Sequence, residues 1–301
     1  MKKQKSKIRG KDEIAFSVIS MVLVAAFAFL CFVPFYLIAV ASVTSERAII
    51  TQGYRFFVDA GTFSLSGYQT ALKDPLEILR AYGVTIFVTF TGTILALLIT
   101  TMTGYVLSRY DFPWKNGFSF FFFFTTLFNG GLVPWYLLCT QTFRFNNSIH
   151  ALIIPGMFSV WNMIIAKSFI KGIAREMIEA AKVDGAGDFL IYHQVILPMS
   201  RPLLATIGLF TALGYWNDWY NCMLFNDNRA YWNLQYTLQN ILNSAEQLRR
   251  IAEKTGMKVG NMPAESLKMA MTIIATGPIV LLYPALQKHF VKGLTIGAIK
   301  G

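Results

Sequence analysis

The chain has 301 residues, of which 54% are hydrophobic and 14% charged, and its formal charge is +11 at pH 7. A soluble domain has about one quarter charged residues, so this composition argues against a soluble enzyme and predicts a protein embedded in lipid. The basic residues lie in short gaps between apolar runs and do not form a stripe with exposed aromatics, so no nucleic-acid partner is expected.

Six apolar stretches are long enough to cross about 30 Å of hydrocarbon as helices. The predicted fold class is therefore all-α, a polytopic membrane protein with six transmembrane helices. The first stretch has no charge from Ile14 to Ser45, too long for the apolar core of a cleaved signal peptide, and it is expected to remain as an anchor kinked near Pro34. The six predicted spans are 14–43, 82–107, 118–140, 149–170, 202–225 and 268–287.

The distribution of lysine and arginine predicts the orientation. If residues 1–13, 108–117, 171–201 and 288–301 share one side with Lys167, that side holds 16 of the 27 basic residues and seven of the 16 acidic ones. This side is predicted to be the cytoplasm. The chain is then a multi-pass protein of the bacterial cytoplasmic membrane with both termini inside.

The predicted organisation follows the same division. External loops at 46–81, 141–148 and 226–267 are too short to bury a core of their own, so capture of a solute outside is expected to need a separate chain. The predicted regions are a basic cytoplasmic N-terminus (1–13), the first span with its external loop (14–81), a core membrane domain with five spans (82–287) that includes a cytoplasmic loop (171–201), and a cytoplasmic tail (288–301).

Neither a catalytic nor a metal site is predicted. The sequence contains no HExxH, no paired intramembrane acids and no Ser with His in a suitable pattern, and its three histidines are too scattered for a metal site. Gly92 and Gly104 are expected to permit close helix packing. The cysteines have no CxxC or metal-ligand spacing and are expected to be small core residues: Cys31, Cys139 and Cys222.

The loop between the fourth and fifth spans has an unusual pattern. Ala174 to Val183 contains strong helix formers, Gly185 and Gly187 then break the chain, and Phe189 to Leu197 resumes an apolar pattern. The sequence predicts a short helix, a bend and a second short helix across the cytoplasmic face. A surface helix that merely joins two spans is the alternative interpretation.

This loop closely resembles the "EAA" loop of binding-protein-dependent ABC importer permeases, whose pattern is Glu-Ala-Ala, three residues, Gly, nine residues and Ile-x-Leu-Pro. Val195 stands where the pattern has Ile. GYWNDWYN in the fifth span and FVKGLTIGAIKG at the end resemble the carbohydrate-uptake branch with the maltose-type permeases, and residues 14–301 are similar to permeases for complex sugars such as aldouronates. The positions that match the loop pattern are Glu179, Ala180, Ala181, Gly185, Leu197 and Pro198.

The resemblance implies the type I ABC importer permease fold and a helix around Glu179 that docks on a cytoplasmic ATPase. Ala180 and Ala181 would let the helix sit deep in a groove, and Gly185 would permit a turn that a Cβ strains. Glu179 and Asp184 could accept charge-assisted hydrogen bonds from the ATPase, although Asp184 could equally be a turn residue. Leu197 and Pro198 complete this predicted ATPase-coupling set.

The resemblance also implies partners and cofactors. The chain lacks GxxxxGK[ST], so ATP and Mg are expected on the partner ATPase subunits and no cofactor in this chain. The implied partners are a second homologous permease or a second copy, two ATPase subunits, an external solute-binding protein and membrane lipid. The predicted function is the permease subunit of an importer for a carbohydrate, in particular an oligosaccharide. The alternatives are an intramembrane enzyme or an ion-coupled secondary transporter.

Span five offers candidates for a substrate path. Asp218 is an acid within an apolar stretch, where a charge costs roughly 3 kcal/mol and should face protein or water. Aromatic and amide neighbours suit sugar rings and hydroxyls, so Trp216, Asn217, Asp218 and Tyr220 are the candidates. The alternative is that the aromatics are interface anchors and Asp218 ties helices together.

Overall fold

A computed structural model describes residues 11–173, 175–255 and 263–280. Across these ranges the chain is all-α, as predicted, and extended pairing is limited to one isolated bridge between Thr44 and Phe63. The helices are α1 (Lys11–Ser42), α2 (Glu46–Gln52), α3 (Ser66–Ala71), α4 (Pro75–Ser108), α5 (Lys115–Leu127), α6 (Leu132–Leu137), α7 (His150–Ile153), α8 (Val160–Lys171), α9 (Arg175–Val183), α10 (Asp188–Ile191), α11 (Leu197–Met199), α12 (Arg201–Trp216), α13 (Tyr220–Phe225), α14 (Leu234–Thr255) and α15 (265–280). Short irregular helices are the π-helices Leu138–Thr142 and Tyr192–Ile196 and the 3-10 helices Ile154–Gly156 and Arg229–Tyr231.

Two of these helices are long and apolar enough to cross a membrane unbroken, and they correspond to the first two predicted spans. α1 is continuous through Pro34 and leaves apolar side chains such as Phe27, 70% exposed, uncovered by the rest of the chain. A helix that is apolar all round and uncovered suits lipid or a neighbouring chain. α4 begins seven residues before the predicted span because Asp74 accepts the Glu77 N–H (3.1 Å) and Pro75 occupies the first turn.

The third predicted span, 118–140, is not one continuous helix. α5 and the helix formed by α6 with its π-helical extension meet at 114°. The break lies at an Asn-Gly-Gly sequence: Gly131 has φ +90°, and Asn129 Oδ1 accepts the Gly131 N–H at 2.8 Å. Glycine tolerates this conformation and the asparagine satisfies the freed donor, so an apolar stretch of the expected length contains a sharp bend.

The fourth and fifth predicted spans are also bent. The fourth bends by 47° near Pro155, and the N–H of Asn162 at the start of α8 is capped by Ser159. The fifth, 202–225, is interrupted because α12 ends at Trp216 and α13 begins at Tyr220. An 81° turn lies just before this span, between residues 188–199 and α12. Within the described ranges, two continuous helices and three bent pairs thus have the length and apolarity of spans.

The six-span count remains a prediction. The predicted sixth span, 268–287, overlaps α15 up to residue 280, and its last part lies outside the described residues. The N-terminal residues 1–10 and the predicted tail 288–301, with the motif FVKGLTIGAIKG, lie outside them too.

The described chain divides into two units. The first consists of the described parts of Met1–Lys73 and Leu242–Ile274. Its buried Glu46 accepts the backbone N–H groups of Glu265 (3.0 Å) and Ser266 (2.9 Å) and the Ser266 hydroxyl (3.2 Å) at the start of α15. The carboxylate therefore satisfies donors that a helix N-terminus leaves unpaired, and its charge suits the helix dipole.

The second unit, whose main part is Asp74–Ile241, is built around α4. α4 packs against α8 and α12. A Cβ at Gly92 would lie 2.5 Å from the Tyr215 ring, and one at Gly104 would lie 2.9 Å from the Ala166 Cβ. Both contacts are too short for any larger residue, which confirms the prediction that these glycines permit close helix packing.

The cysteine prediction holds for two of three residues. Cys139 and Cys222 are buried among apolar side chains. Cys31 is exposed, because it lies in the part of α1 that the other described residues leave uncovered.

Candidate functional site

The candidate site is the connector, defined here as residues 175–200. Its first part is α9, and α9 ends in a Schellman motif centred on Gly185, which has φ +81°. The Gly185 N–H donates to Lys182 O (3.0 Å) and the Ala186 N–H to Ala181 O (2.9 Å), which satisfies two carbonyls at the helix end. No atom lies within 4 Å of a Cβ built on Gly185, so this bend requires glycine for its backbone conformation and not for space.

The second part of the connector is a nearly continuous helical run. α10 passes through a π-helix into α11, and Pro198 lies in the first turn of α11. Ile191, Tyr192 and Ile196 are buried in a cluster with residues of α4, α8 and α12, and Leu197 packs against it. The predicted order of helix, bend and second helix is confirmed, and the second helix is anchored in the core of its unit.

The opposite side of the connector is exposed and partly apolar. Val183, next to the bend, is 87% exposed, and Phe189, just beyond it, is 70% exposed. Ala180 and Asp184 are exposed as well, Glu179 is half-buried, and Ala181 packs against the chain's own core. Large apolar side chains exposed beside acids on a short helix are typical of a surface that another protein covers.

An ion network joins the connector to the end of α4. Arg109, the residue after α4, binds Asp111 through two parallel hydrogen bonds, Nε–Oδ1 at 2.8 Å and Nη2–Oδ2 at 2.6 Å. Its remaining Nη1 pairs with Asp188, the first residue of α10. Lys182 Nζ, in the last turn of α9, donates to Asp111 Oδ2 at 2.9 Å. The network therefore contacts the connector on both sides of Gly185.

The charges of this network stabilise one another. Hydrogen bonds from Arg109 and then Lys182 hold the pKa of Asp111 well below its usual range. The hydrogen bond to Asp111 raises the pKa of Lys182, and hydrogen bonding to the same carboxylate raises that of Arg109. Arg109, Asp111 and Lys182 are thus ionised across the physiological pH range.

Aromatic residues complete the junction. The Tyr192 hydroxyl lies 2.8 Å from Thr101 Oγ1 in the interior, and the Tyr192 and Tyr105 rings are 5.9 Å apart. The Arg109 guanidinium lies 5.9 Å from the centre of the Tyr105 ring. A groove of about 420 Å³ opens between α4 and α10, lined by Met102, Tyr105, Val106, Arg109, Asp111, Phe112, Asp188, Phe189 and Tyr192.

Sequence reasoning missed most of this network. In the sequence, Arg109 and Lys182 count only as positive charges in predicted cytoplasmic loops, and no local pattern marks Asp111 or Asp188 as a site residue. The Arg-x-Asp spacing directly after a helix is a weak signal for a local pair. Lys182 is 71 residues from Asp111, and no local pattern connects the two.

The substrate-path candidates lie at the end of α12 and are not equivalent. Trp216 is 6% exposed, and its indole N–H donates to Ala275 O at 3.1 Å. Asn217 is exposed, and Tyr220 is exposed with its ring edge against Trp219. The structure brings Asn217 and Tyr220 to the surface of the chain and encloses Trp216 within it.

Asp218 lies in the break between α12 and α13, not inside a helix as the predicted span 202–225 implied. Its carboxylate accepts the Asn221 backbone N–H (3.1 Å) and the Asn221 side-chain amide (2.8 Å). This arrangement caps the start of α13, which accounts locally for an acid in an apolar stretch. Its role toward a substrate remains a prediction.

Within residues 11–173, 175–255 and 263–280, no three His, Cys, Asp or Glu side chains are grouped so that they could hold a metal ion.

Comparisons with known proteins agree with this architecture. The family described as "Binding-protein-dependent transport system inner membrane component" matches residues 104–296, which include the connector and the network. The chain is 34% identical over 276 residues to the "Polygalacturonan/rhamnogalacturonan transport system permease protein YtcP" of Bacillus subtilis, covering 91% of this chain and 94% of that protein. It is also 34% identical to "Protein LplC" of the same organism, covering 89% of each chain.

A solved structure matches over nearly the whole length. It is described as a bacterial ABC transporter involved in the import of the acidic polysaccharide alginate. The match has a TM-score of 0.77 and 25% sequence identity and covers 95% of this chain and 100% of the other. The likeness thus extends beyond the family match to the first helix and the loop that follows it.

Proposed function

This chain belongs to the family of binding-protein-dependent transport system inner membrane components, and we propose that it couples ATP hydrolysis in partner subunits to the import of an acidic oligosaccharide. It is a carbohydrate-uptake permease with the type I ABC importer permease fold. Our proposal further concerns the coupling of ATP hydrolysis to transport, the kind of sugar, the composition of the complex and the orientation in the membrane.

The connector carries the proposal for ATP coupling. α9 exposes Val183, Ala180 and Asp184 on one side, while Ala181 and the following helix pack on the core of the same unit. A short helix held on one side and exposed on the other can receive force from a neighbouring protein and pass it to the packed helices. The ATPase subunits would bind ATP and Mg, and this chain would bind neither.

The proposed substrate follows from the relatives. One relative is named for polygalacturonan and rhamnogalacturonan, and the matching structure is described for alginate, an acidic polysaccharide. Polygalacturonan and alginate both consist of uronic acids, whose carboxylates distinguish them from neutral sugars. We therefore expect oligosaccharides of uronic acids to be better substrates than neutral maltodextrins.

The proposed assembly contains this chain, another permease chain, two ATPase subunits on the cytoplasmic side and an external solute-binding protein. A family of binding-protein-dependent inner membrane components implies such a complex in general. Both termini and the connector are proposed to be cytoplasmic, since that side holds most of the basic residues.

Cysteine accessibility tests the orientation. Glu179→Cys and Asp59→Cys are made in a chain whose three cysteines are replaced by serine, and Asp59 is chosen because its side chain is 66% exposed in the predicted external loop. An impermeant thiol reagent added to intact cells should label position 59 and reach position 179 only after the membrane is opened. Labelling of position 179 in intact cells would reject the proposed coupling role.

Purification of the intact complex tests the remaining steps. Mass spectrometry of the co-purifying proteins identifies the partners, and ATP hydrolysis is measured with oligogalacturonate and with maltodextrin in the presence of the binding protein. Stimulation by oligogalacturonate alone is expected. Transport by the reconstituted chain without any ATPase would contradict the proposal.

A further inference from the structure

The residues between Ser108 and Lys115 join α4 to α5, and Arg109 and Asp111 of the ion network lie among them. We propose that Arg109 is a positioning residue that fixes the connector to the end of α4, with Asp111 and Lys182 completing the attachment. This inference rests on the proposed coupling function. It adds a charged attachment of the connector to the end of α4, besides the buried packing of the second connector helix and the covalent continuation into α12.

The geometry of Arg109 is constrained from several directions. Its backbone N–H bonds to Val106 O (3.3 Å) at the end of α4, and its side chain is only 19% exposed. One edge of the guanidinium binds Asp111 with two hydrogen bonds, the opposite amino group pairs with Asp188, and one face lies over Tyr105. A lysine has neither the planar fork nor the flat face, so it cannot reproduce these contacts.

The network holds both arms of the bend. Lys182 precedes Gly185 and Asp188 follows it, and each reaches the Arg109–Asp111 pair. The contacts therefore run from Lys182 through Asp111 and Arg109 to Asp188 and connect the two sides of the bend. We call this set of contacts the bracket. Ile178 and Ala181 of α9 pack against the core as well, and the bracket adds charged contacts that limit how far α9 can tilt.

The effect of the network on stability is expected to be small. Exposed ion pairs contribute little to folding, and Lys182 and Asp111 each keep about one third of their side chains in solvent. The connector is also anchored by the buried Ile191, Tyr192 and Ile196. Loss of the network should thus leave the fold and the complex intact and loosen α9, which separates a positioning role from a structural one.

The experiment measures the looseness of α9 directly in the intact complex. Spin labels are placed at Met177→Cys near the start of α9 and Phe90→Cys on α4, both exposed in the chain, after the native cysteines are replaced by serine. Electron–electron distance distributions are recorded for the unchanged network, for Arg109→Gln, for Arg109→Lys, for Asp188→Asn and for Asp188→Glu. Arg55→Gln, which breaks the exposed Arg55–Asp59 ion pair in the first unit, is the matched control.

We expect both Arg109 variants and Asp188→Asn to broaden the distance distribution at least about twofold, and Asp188→Glu and Arg55→Gln to leave it unchanged. In proteoliposomes with the ATPase and the binding protein, Arg109→Gln should lower oligogalacturonate transported per ATP hydrolysed about fivefold or more. Its melting temperature and the amount of co-purifying ATPase should remain those of the unchanged chain.

An unchanged distance distribution in Arg109→Gln overturns the inference, and so does loss of the complex in all Arg109 variants, since that would make the residue structural. If the unchanged complex hydrolyses ATP but transports no oligogalacturonate, the proposed substrate is wrong and the distance measurement still decides the role of Arg109. If the unchanged complex shows no ATP-dependent transport of any sugar tested, the proposed function fails by itself.

Discussion

Substitution of Gly185 should uncouple the permease without unfolding it. The residue has φ +81°, in the left-handed region, where a side chain costs about 1–2 kcal/mol. A Cβ added to Gly185 would meet no atom within 4 Å, so the cost is that of the backbone conformation alone. A change of about 1–2 kcal/mol alters the population of the bent connector by a factor of about 5–30.

The neighbouring glycine supplies the control. Gly187 also has no atom within 4 Å of a Cβ, but its φ of −71° and ψ of 162° suit any residue. Gly187→Ala should therefore be neutral or stabilise by up to about 1 kcal/mol through the unfolded chain. At position 185, the tolerance of left-handed backbone predicts that the damage increases from Asn through Ala to Val.

The assay is sugar-stimulated ATP hydrolysis and uptake by the reconstituted complex, normalised to the amount of permease in the membrane. Gly185→Val should retain expression and lose stimulated hydrolysis and uptake, Gly185→Ala should lose part of both, and Gly185→Asn should lose the least. Normal coupling in Gly185→Val, or equal damage from Gly187→Ala, would refute the assignment of the bend to coupling.

Individual contacts give four further expected outcomes. Tyr192→Phe should destabilise the complex by about 1 kcal/mol through loss of a buried hydrogen bond, whereas Tyr105→Phe should not, since no partner of the Tyr105 hydroxyl is found among the described residues; thermal unfolding compares the two. Glu46→Gln should lower the free energy of unfolding by about 1–3 kcal/mol in the same measurement. Both carboxylate oxygens of Glu46 accept backbone N–H groups, and in glutamine one of these oxygens is replaced by an NH₂ donor. Trp216→Ala should lower the free energy of unfolding by about 3 kcal/mol, because the side chain is buried. Asp218→Asn should reduce sugar uptake at unchanged expression. Wild-type uptake in that variant would mean that Asp218 serves only to cap α13.

The connector was predictable because the signals that shape it are local. Gly185 determines the conformation of its own neighbourhood through a left-handed backbone. Tyr192 and Ile196 are four residues apart, the spacing of a buried helix face, and both are buried. Short-range chemistry of this kind requires no knowledge of the rest of the fold.

The ion network was not predictable for the opposite reason. Lys182 and Asp111 are far apart in sequence, and their contact exists only because α4 and the connector pack against one core. Charge counting assigned them to the same side of the membrane, which is necessary for the contact but cannot select the pair. The orientation of Ala181 toward the core of its own chain likewise depends on packing that no local pattern encodes.

The bends in the predicted spans show how polar residues within apolar stretches are accommodated. An average over about 20 residues does not register a single Asn or Asp, although an unpaired backbone group in hydrocarbon costs several kcal/mol. In this chain Asn129 accepts the N–H of Gly131, and Asp218 accepts that of Asn221, at the points where the helices break. Each polar side chain thus accepts a hydrogen bond from a backbone N–H group that the break in the helix would otherwise leave unpaired. A polar residue in such a stretch is therefore explained first by the end of a helix, and a role toward the sugar needs the separate evidence of transport.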